Sequence, residues 1–440
     1  MAPDGWSRRN ISNLIEDHVL YIGDGYRAKN SELSSCGIPF AHAGNINGGF
    51  NFEVADRFPE KDLGKVGIKL SRPGDVVFTS KGTVGRFAFV RDDTQTFVYS
   101  PQLSFWRSLD HDIIHPRFLY YWMFGSEFLH QYSGVKGQTD MADYVSLRDQ
   151  RQMFITLPPL DEQREIAHIL GTLDDKIELN RRMNATLEAI ARAIFKSWFV
   201  DFDPVHAKAR GEQPHGMDAE TAALFPDAFD DSELGPIPAG WGVKTVGDIG
   251  DVITGKTPPS TVSDYYGGSI PFIRIPDMHN QVFVMSTEKT LTRSGSQTQR
   301  SKLLPPLSVC VSCIATPGVV SLTAVPSHAN QQINAIVCAE ETSPYFIYFS
   351  MKNLYDVIIA AASGGSATLN LNKSDFSKLV VVLPPSRLMR EFHRFVAPYF
   401  SAILLNQRQI LVIAELRDAL LPRLISGEIR VGDIESEFTA

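Results

Sequence analysis

With 440 residues, 43% of them hydrophobic, the chain is long enough for more than one ordinary domain and too apolar to be disordered. Its apolar runs stop well short of a membrane span, and Met1 to Asn10 is polar where a secretory signal would be apolar, so a cytoplasmic protein without membrane association is expected. The net charge of −8 argues at first against nucleic acid, but nine acidic residues against two basic ones between Asp201 and Gly235 supply −7 of it, which leaves the rest of the chain near neutral.

In chain order, Val76 to Ser80, Phe87 to Arg91, Phe97 to Tyr99 and Phe154 to Leu157 read as strands, and Pro116 to Gln131 as an aromatic-rich helix. Pro158-Pro159 stops the last strand, and Asp161 can cap a helix beginning there. Seam positions, mostly apolar, then alternate steps of four and three: Ile166, Leu170, Leu173, Ile177, Asn180, Asn184, Leu187, Ala191, Ile194 and Trp198. Such a 3.5-residue spacing keeps one face of a helix turned toward a partner helix. The acidic stretch carries Pro204, Pro214, Pro226, Pro236 and Pro238 and reads as a solvated connector. Beyond it, Val309 to Ile314, Val319 to Val325, Ile333 to Ala339 and Leu379 to Leu383 are expected strands, with Pro344 to Ala362 as a helix. Pro384-Pro385 and the cap Ser386 precede a second seam of Phe392, Val396, Tyr399, Ile403, Asn406, Ile410, Ile413, Arg417, Leu420 and Leu424. Gly171-Thr172 and Ala397-Pro398 are expected to break the helices, leaving coiled segments of 173–199 and 398–425, about 40 Å each.

The second half echoes the first. Leu157-Pro158-Pro159 recurs as Leu383-Pro384-Pro385, 226 residues on, and Asn180 lands on Asn406, a polar seam position of the kind that fixes register. Gly5-Trp6 corresponds to Gly240-Trp241, Ile38-Pro39-Phe40 to Ile270-Pro271-Phe272, and Thr83 and Gly85 to Thr316 and Gly318. The expected divisions are therefore 1–157, a mixed domain; 158–203, a helix; 204–238, the connector; 239–383, a second mixed domain; and 384–430, a second helix.

Catalytic motifs are scarce. Gly250 to Thr257 fits the phosphate-loop pattern G-x-x-x-x-G-K-T, and an NTPase built on it is one alternative reading. Pro258-Pro259 comes next, however, where a phosphate loop needs a helix N-terminus with free N–H donors. Cys310 and Cys313 form a lone C-x-x-C in a strand, pointing to opposite faces, which is no zinc site.

Two mixed domains, each ending in strand-Leu-Pro-Pro and a heptad helix, with Asp161-Glu162-Gln163-Arg164-Glu165-Ile166 in the first copy, strongly resemble the specificity subunit of type I restriction-modification enzymes. Leu420-Leu421-Pro422-Arg423-Leu424-Ile425-Ser426-Gly427-Glu428-Ile429 carries the fainter end of the match. The resemblance implies an α/β (α+β) fold of two tandem target-recognition domains, with the two long helices packed as an antiparallel coiled coil of pseudo-two-fold symmetry. It implies no enzyme in this chain. Its partners would be double-stranded DNA with a split, asymmetric target, two methyltransferase subunits and, through them, two restriction subunits. S-adenosylmethionine, magnesium and ATP would belong to those partners and no cofactor to this chain. A DNA-binding adaptor of another defence or methylation system is the other reading. The second copy departs from the first in having Leu388-Met389 where the first has Glu162-Gln163.

Base-reading residues do not carry over, so candidates rest on chemistry. Thr79, Ser80, Lys81, Thr83 and Arg86 combine small donors and cations in a glycine-containing turn suited to phosphate. Gln102, Gln331 and Gln332 carry amides that pair with adenine edges. His42 and Arg274 correspond between the copies, as do the polar loops holding Lys136, Gln138 and Thr139 and holding Ser366 and Thr368. Lys256 and Thr316 complete the set, with Asn180 and Asn406 for helix register.

Overall fold

The computed structural model describes residues 3–46, 48–82, 84–135, 144–363 and 369–432. The chain divides into two compact units, Met1–Ile177 with Val412–Ala440, and Glu178–Leu411.

Both units follow one sheet plan. In the first, the strands Leu20–Asp24, Leu103–Ser108, Val76–Thr79 and Phe87–Phe89 form an antiparallel sheet in that spatial order. In the second, Gly250–Thr254, Ile333–Cys338, Val309–Ser312 and Val320–Thr323 repeat it, and Phe283–Val284 adds a parallel edge. Each unit also has a smaller three-stranded sheet, whose centre is Ile38–Ala41 or Tyr266–Ile273, running parallel to Val98–Tyr99 or His328–Ala329. A third pairing joins the strand after Gly-Trp in each copy to the strand before its Pro-Pro, with Ser7 opposite Leu157 and Gly242 opposite Leu383.

The central strands are buried on both faces, and the period of two sorts their side chains. Val76 and Phe78 enter one core cluster with Trp106, Phe118 and Phe128, while Val77 enters another with Tyr99 and Phe105. Cys310 and Cys313 likewise lie in different clusters. The aromatic helix expected in each copy is two helices: Pro116–Trp122 and Ser126–Val135 in the first, Pro344–Asn353 and Tyr355–Ala362 in the second. At the first break, a Cβ on Gly125 would sit 2.6 Å from Ile425 Cγ2.

Leu160–Phe199 and Ser386–Ile425 are unbroken helices of 40 residues, about 60 Å each. The expected breaks at Gly171 and Pro398 are therefore wrong. Gly171 is where Arg117 crosses the helix: Nη2 donates to the Gly171 carbonyl at 3.1 Å, and a Cβ there would lie 2.8 Å from the guanidinium carbon. Pro398 is exposed, but Phe392, Val396, Phe400 and Ile403 of the same helix are all fully buried, and their burial outweighs the roughly 3 kcal/mol a helical proline costs.

Every expected seam position is buried or half-buried. In the first unit Asp174 pairs with Arg417 at 2.7 Å. In the second, Asn180 Nδ2 donates to Gln409 Oε1 at 3.2 Å, Asn406 Nδ2 donates to Asn184 Oδ1 at 2.9 Å, and the Phe199 and Phe392 rings lie 5.0 Å apart. As the residue number rises along one helix in these pairs, it falls by nearly the same amount along the other, which antiparallel helices require. Asn180 and Asn406 thus each bond across the seam, to partners other than one another.

The connector is folded. Asp203–Ala209, Ala219–Ala222 and a hairpin of Phe229–Asp230 with Ile237–Pro238 bury Val205, Phe225 and Ile237 in the core of the second unit, with Phe225 5.3 Å from Trp198. A reading as solvated loop missed these apolar residues because they are spaced too irregularly to show a period.

Candidate nucleic-acid interface

In each unit the parallel strand pair delivers its chain to one end of the sheets, and most described candidates collect there. In the first unit, Ile38–Ala41 ends at His42, which opens a tight turn, Ala43–Asn45. The His42 N–H donates to Asn45 Oδ1 at 2.8 Å, and its Nε2 lies 3.3 Å from Asp56 Oδ2. Gln102 Oε1 accepts the Ala43 N–H at 3.0 Å, while Arg86 Nη1 donates to the Ala43 and Ile46 carbonyls at 3.3 Å each. His42, Arg86 and Gln102 therefore share one turn.

Thr79 and Ser80 are buried beneath it. Thr79 Oγ1 accepts the Arg86 N–H at 3.0 Å, and the Ser80 N–H donates to the Gln102 carbonyl at 2.9 Å. Their hydroxyls shape the turn instead of facing solvent. Lys81 is exposed and bridges to Tyr144 in backbone register.

The second unit repeats the cap, the acid contact and the glutamine backbone bond with different side chains. Tyr266–Ile273 ends at Arg274, whose N–H donates to Asp277 Oδ2 at 2.8 Å and whose Nη2 donates to Glu288 Oε2 at 2.6 Å. The Cys313 N–H donates to the Gln332 carbonyl at 2.8 Å, the counterpart of Ser80 with Gln102. Thr257 donates to Gln331 Oε1 at 2.5 Å, Asn330 Nδ2 donates to Gln332 Oε1 at 2.9 Å, and Thr316 is exposed where its carbonyl accepts the Ser312 hydroxyl at 2.6 Å. His328, just before this loop, is buried 2.9 Å from Ser296 Oγ, and burial holds its imidazole below the ordinary value, in its neutral form.

Lys256 has no phosphate-loop surroundings. Gly250–Thr254 is itself a strand, and the Lys256 N–H donates to the Ala329 carbonyl at 2.9 Å, as the Tyr26 N–H does to Tyr99 at 2.7 Å. A Cβ on Gly255 would lie 2.1 Å from the Asn330 carbonyl oxygen, and one on Gly25 2.0 Å from that of Ser100. The glycine is needed because two backbones cross there, in both units, and not for a phosphate. Thr83, Lys136, Gln138, Thr139, Ser366 and Thr368 lie outside the described residues.

Sequence reasoning missed the carboxylates. Asp56 and Glu288 each sit 14 residues after His42 and Arg274, and Asn45 and Asp277 each cap three residues after them. The matched pair His42 and Arg274 was already visible, so equal spacing to an acid was the signal available.

A duplicated α/β unit that ends in loops of cations and amides, followed in each copy by a heptad helix, has the build of a recognition subunit. The chain belongs to the family described as the Type I restriction modification DNA specificity domain, which matches residues 4–189 and 238–414. It is 36% identical over 411 residues to the type I restriction enzyme HindI specificity subunit of Haemophilus influenzae, covering 84% of this chain and 89% of that protein. It is 26% identical over 381 residues to the MjaIX specificity subunit of Methanocaldococcus jannaschii, covering 85% and 82%. The fold is similar to that of the S subunit of a type I restriction-modification system from M. genitalium, with a TM-score of 0.56 at 14% identity over 95% of this chain and 96% of that one. As a specificity subunit, the chain is a non-catalytic component of a restriction-modification assembly. Among the described residues no helix is long and apolar enough to cross a membrane.

Proposed function

We propose that each unit reads one half of a split, asymmetric duplex target through the loop cluster at the end of its parallel strand pair, His42–Arg86–Gln102 in the first and Arg274–Gln331–Gln332 in the second. The observation that carries this is that both units cap the same turn, set its first side chain against an acid 14 residues on and tie the glutamine backbone to the neighbouring strand, with different side chains at equivalent places. Equal scaffolds bearing unequal readers are what an asymmetric bipartite sequence demands. Lys81, Lys256 and Thr316, exposed beside the clusters, are assigned to phosphate contact.

The long helices would scaffold two methyltransferase subunits, and through them two restriction subunits, with S-adenosylmethionine, magnesium and ATP bound by those partners. Supporting this, Leu179 and Leu405 are 51% and 55% exposed and Ile190 and Leu416 40% and 47%, two apolar pairs each 226 residues apart. Apolar side chains repeated at equivalent exposed positions suit two copies of one partner. The test is co-expression with a candidate methyltransferase subunit, followed by methylome sequencing. A split adenine-methylated motif is expected; a stable complex that methylates no such motif contradicts the reading.

A further inference from the structure

Two acid-base contacts occupy equivalent places in the two units. His42 Nε2 stands 3.3 Å from Asp56 Oδ2, and Arg274 Nη2 2.6 Å from Glu288 Oε2, each acid 14 residues after its partner. In the second unit the contact is built by a hub: Asp277 accepts the Arg274 N–H on one oxygen and the Glu288 N–H on the other, at 2.8 and 3.0 Å. Arg274 is only 23% exposed while Glu288 is 74% exposed, so the acid covers the guanidinium from the solvent side. Arg274 Nε, meanwhile, is buried 3.8 Å from Asp277 Oδ2, too far for a hydrogen bond.

Resting on the DNA-reading assignment above, we propose that Asp56 and Glu288 are gating carboxylates. Each holds the reading side chain of its unit, His42 or Arg274, away from DNA phosphates until a matching half-site offers a better partner. On unrelated DNA, Arg274 would trade one anion for another with little gain, and the displaced carboxylate would face the phosphates. On the matching half-site, a planar guanidinium can grip a base edge at two points. The carboxylate thus raises discrimination by weakening non-specific binding. Because this ion pair is partly exposed, breaking it costs little, which lets the exchange run in both directions.

The experiment uses the full chain assembled with its methyltransferase partner. Anisotropy titrations at several salt concentrations compare the matching duplex, duplexes altered in one half or the other, and unrelated DNA. Glu288→Gln is expected to tighten binding to unrelated DNA about fivefold, the scale of one exposed ion pair, and to steepen the log–log salt slope by about 0.9, one added phosphate contact. Discrimination should fall at the half-site of the second unit only, and Asp56→Asn should act on the other half. In an Arg274→Met background, Glu288→Gln should have no effect on DNA binding. If Glu288→Gln leaves non-specific affinity and salt slope at wild-type values while Arg274→Met still weakens the matching duplex, the gate is wrong and the reading stands. If Arg274→Met and His42→Ala leave discrimination intact at both half-sites, the reading falls and the gate with it.

Discussion

Trp6 and Trp241 occupy the same place in the repeat, yet their indole N–H groups meet different fates. Trp6 Nε1 donates to Glu162 Oε2 at 3.1 Å, and Arg430 pairs with the same carboxylate at 2.6 Å. In the second copy Leu388 replaces that glutamate and is fully buried, so Trp241 Nε1 is buried without a partner among the described residues. Both rings pack in cores, which makes the ring contribution to a Trp→Phe change similar at the two sites. The hydrogen bond to a charged acceptor exists at one site only, and such bonds contribute about 1.5–3 kcal/mol. Trp6→Phe should therefore destabilise the chain by about 1.5 kcal/mol more than Trp241→Phe does, measured by urea denaturation of the full chain. Equal losses would mean that the Glu162 contact adds nothing.

Among the elements, the helix Pro344–Asn353 docks on the second half of Leu160–Phe199 through a polar contact at the edge of an aromatic core. Burial by itself would push the Glu188 carboxyl up, but Lys352 Nζ at 2.6 Å and the Tyr348 hydroxyl, donating at 2.9 Å, together hold it below the usual carboxylate range. A carboxyl depressed in the folded state adds stability that is fully present above its unfolded value, about 4.3, and is lost as pH falls through the folded value. Glu188→Gln should flatten the acid limb of a plot of urea midpoint against pH, below about pH 4.3, while leaving its shape near neutrality; an unchanged acid limb would refute the coupling. Long-range contacts of this kind also mark the limit of what the sequence discloses. The heptad seams were legible because 3.5-residue spacing repeats over whole helices, and the duplication because it repeats whole motifs. Leu103–Ser108, a central strand of the first sheet, escaped because Arg107 interrupts its pattern; it is buried only because Asp75, 32 residues away, holds it at 2.6 Å. Helix breaks at Gly171 and Pro398 were inferred from local propensity, and tertiary packing overrode it. In the candidate interface, matched His42 and Arg274 could be read from the repeat, while Asp56 and Glu288 looked like any solvated acids.

At the scale of the molecule, each unit contains part of both long helices: the first unit takes residues up to 177 and from 412, the second residues 178 to 411. Along the seam of the second unit Asn180 meets Gln409 and Asn406 meets Asn184. Buried polar pairs on a mostly apolar seam penalise a shifted register, because a slip breaks the bonds these amides make. Inserting one seam-compatible heptad after Ile177 and another after Leu411 preserves the alternation on both helices and adds about 10 Å of helix. With about 3.4 Å of duplex rise per base pair, the unread gap between the two half-sites should lengthen by about three base pairs, with both half-site sequences unchanged. A heptad in one helix alone instead leaves the helices unequal, so that Asp174–Arg417 on one side of the insertion and the asparagine pairs on the other cannot all keep their register, and it should abolish methylation of any split motif. Methylome sequencing of the single and double insertions reads both outcomes at once. A double insertion that methylates at the original gap would show that something other than helix length sets the distance between the half-sites.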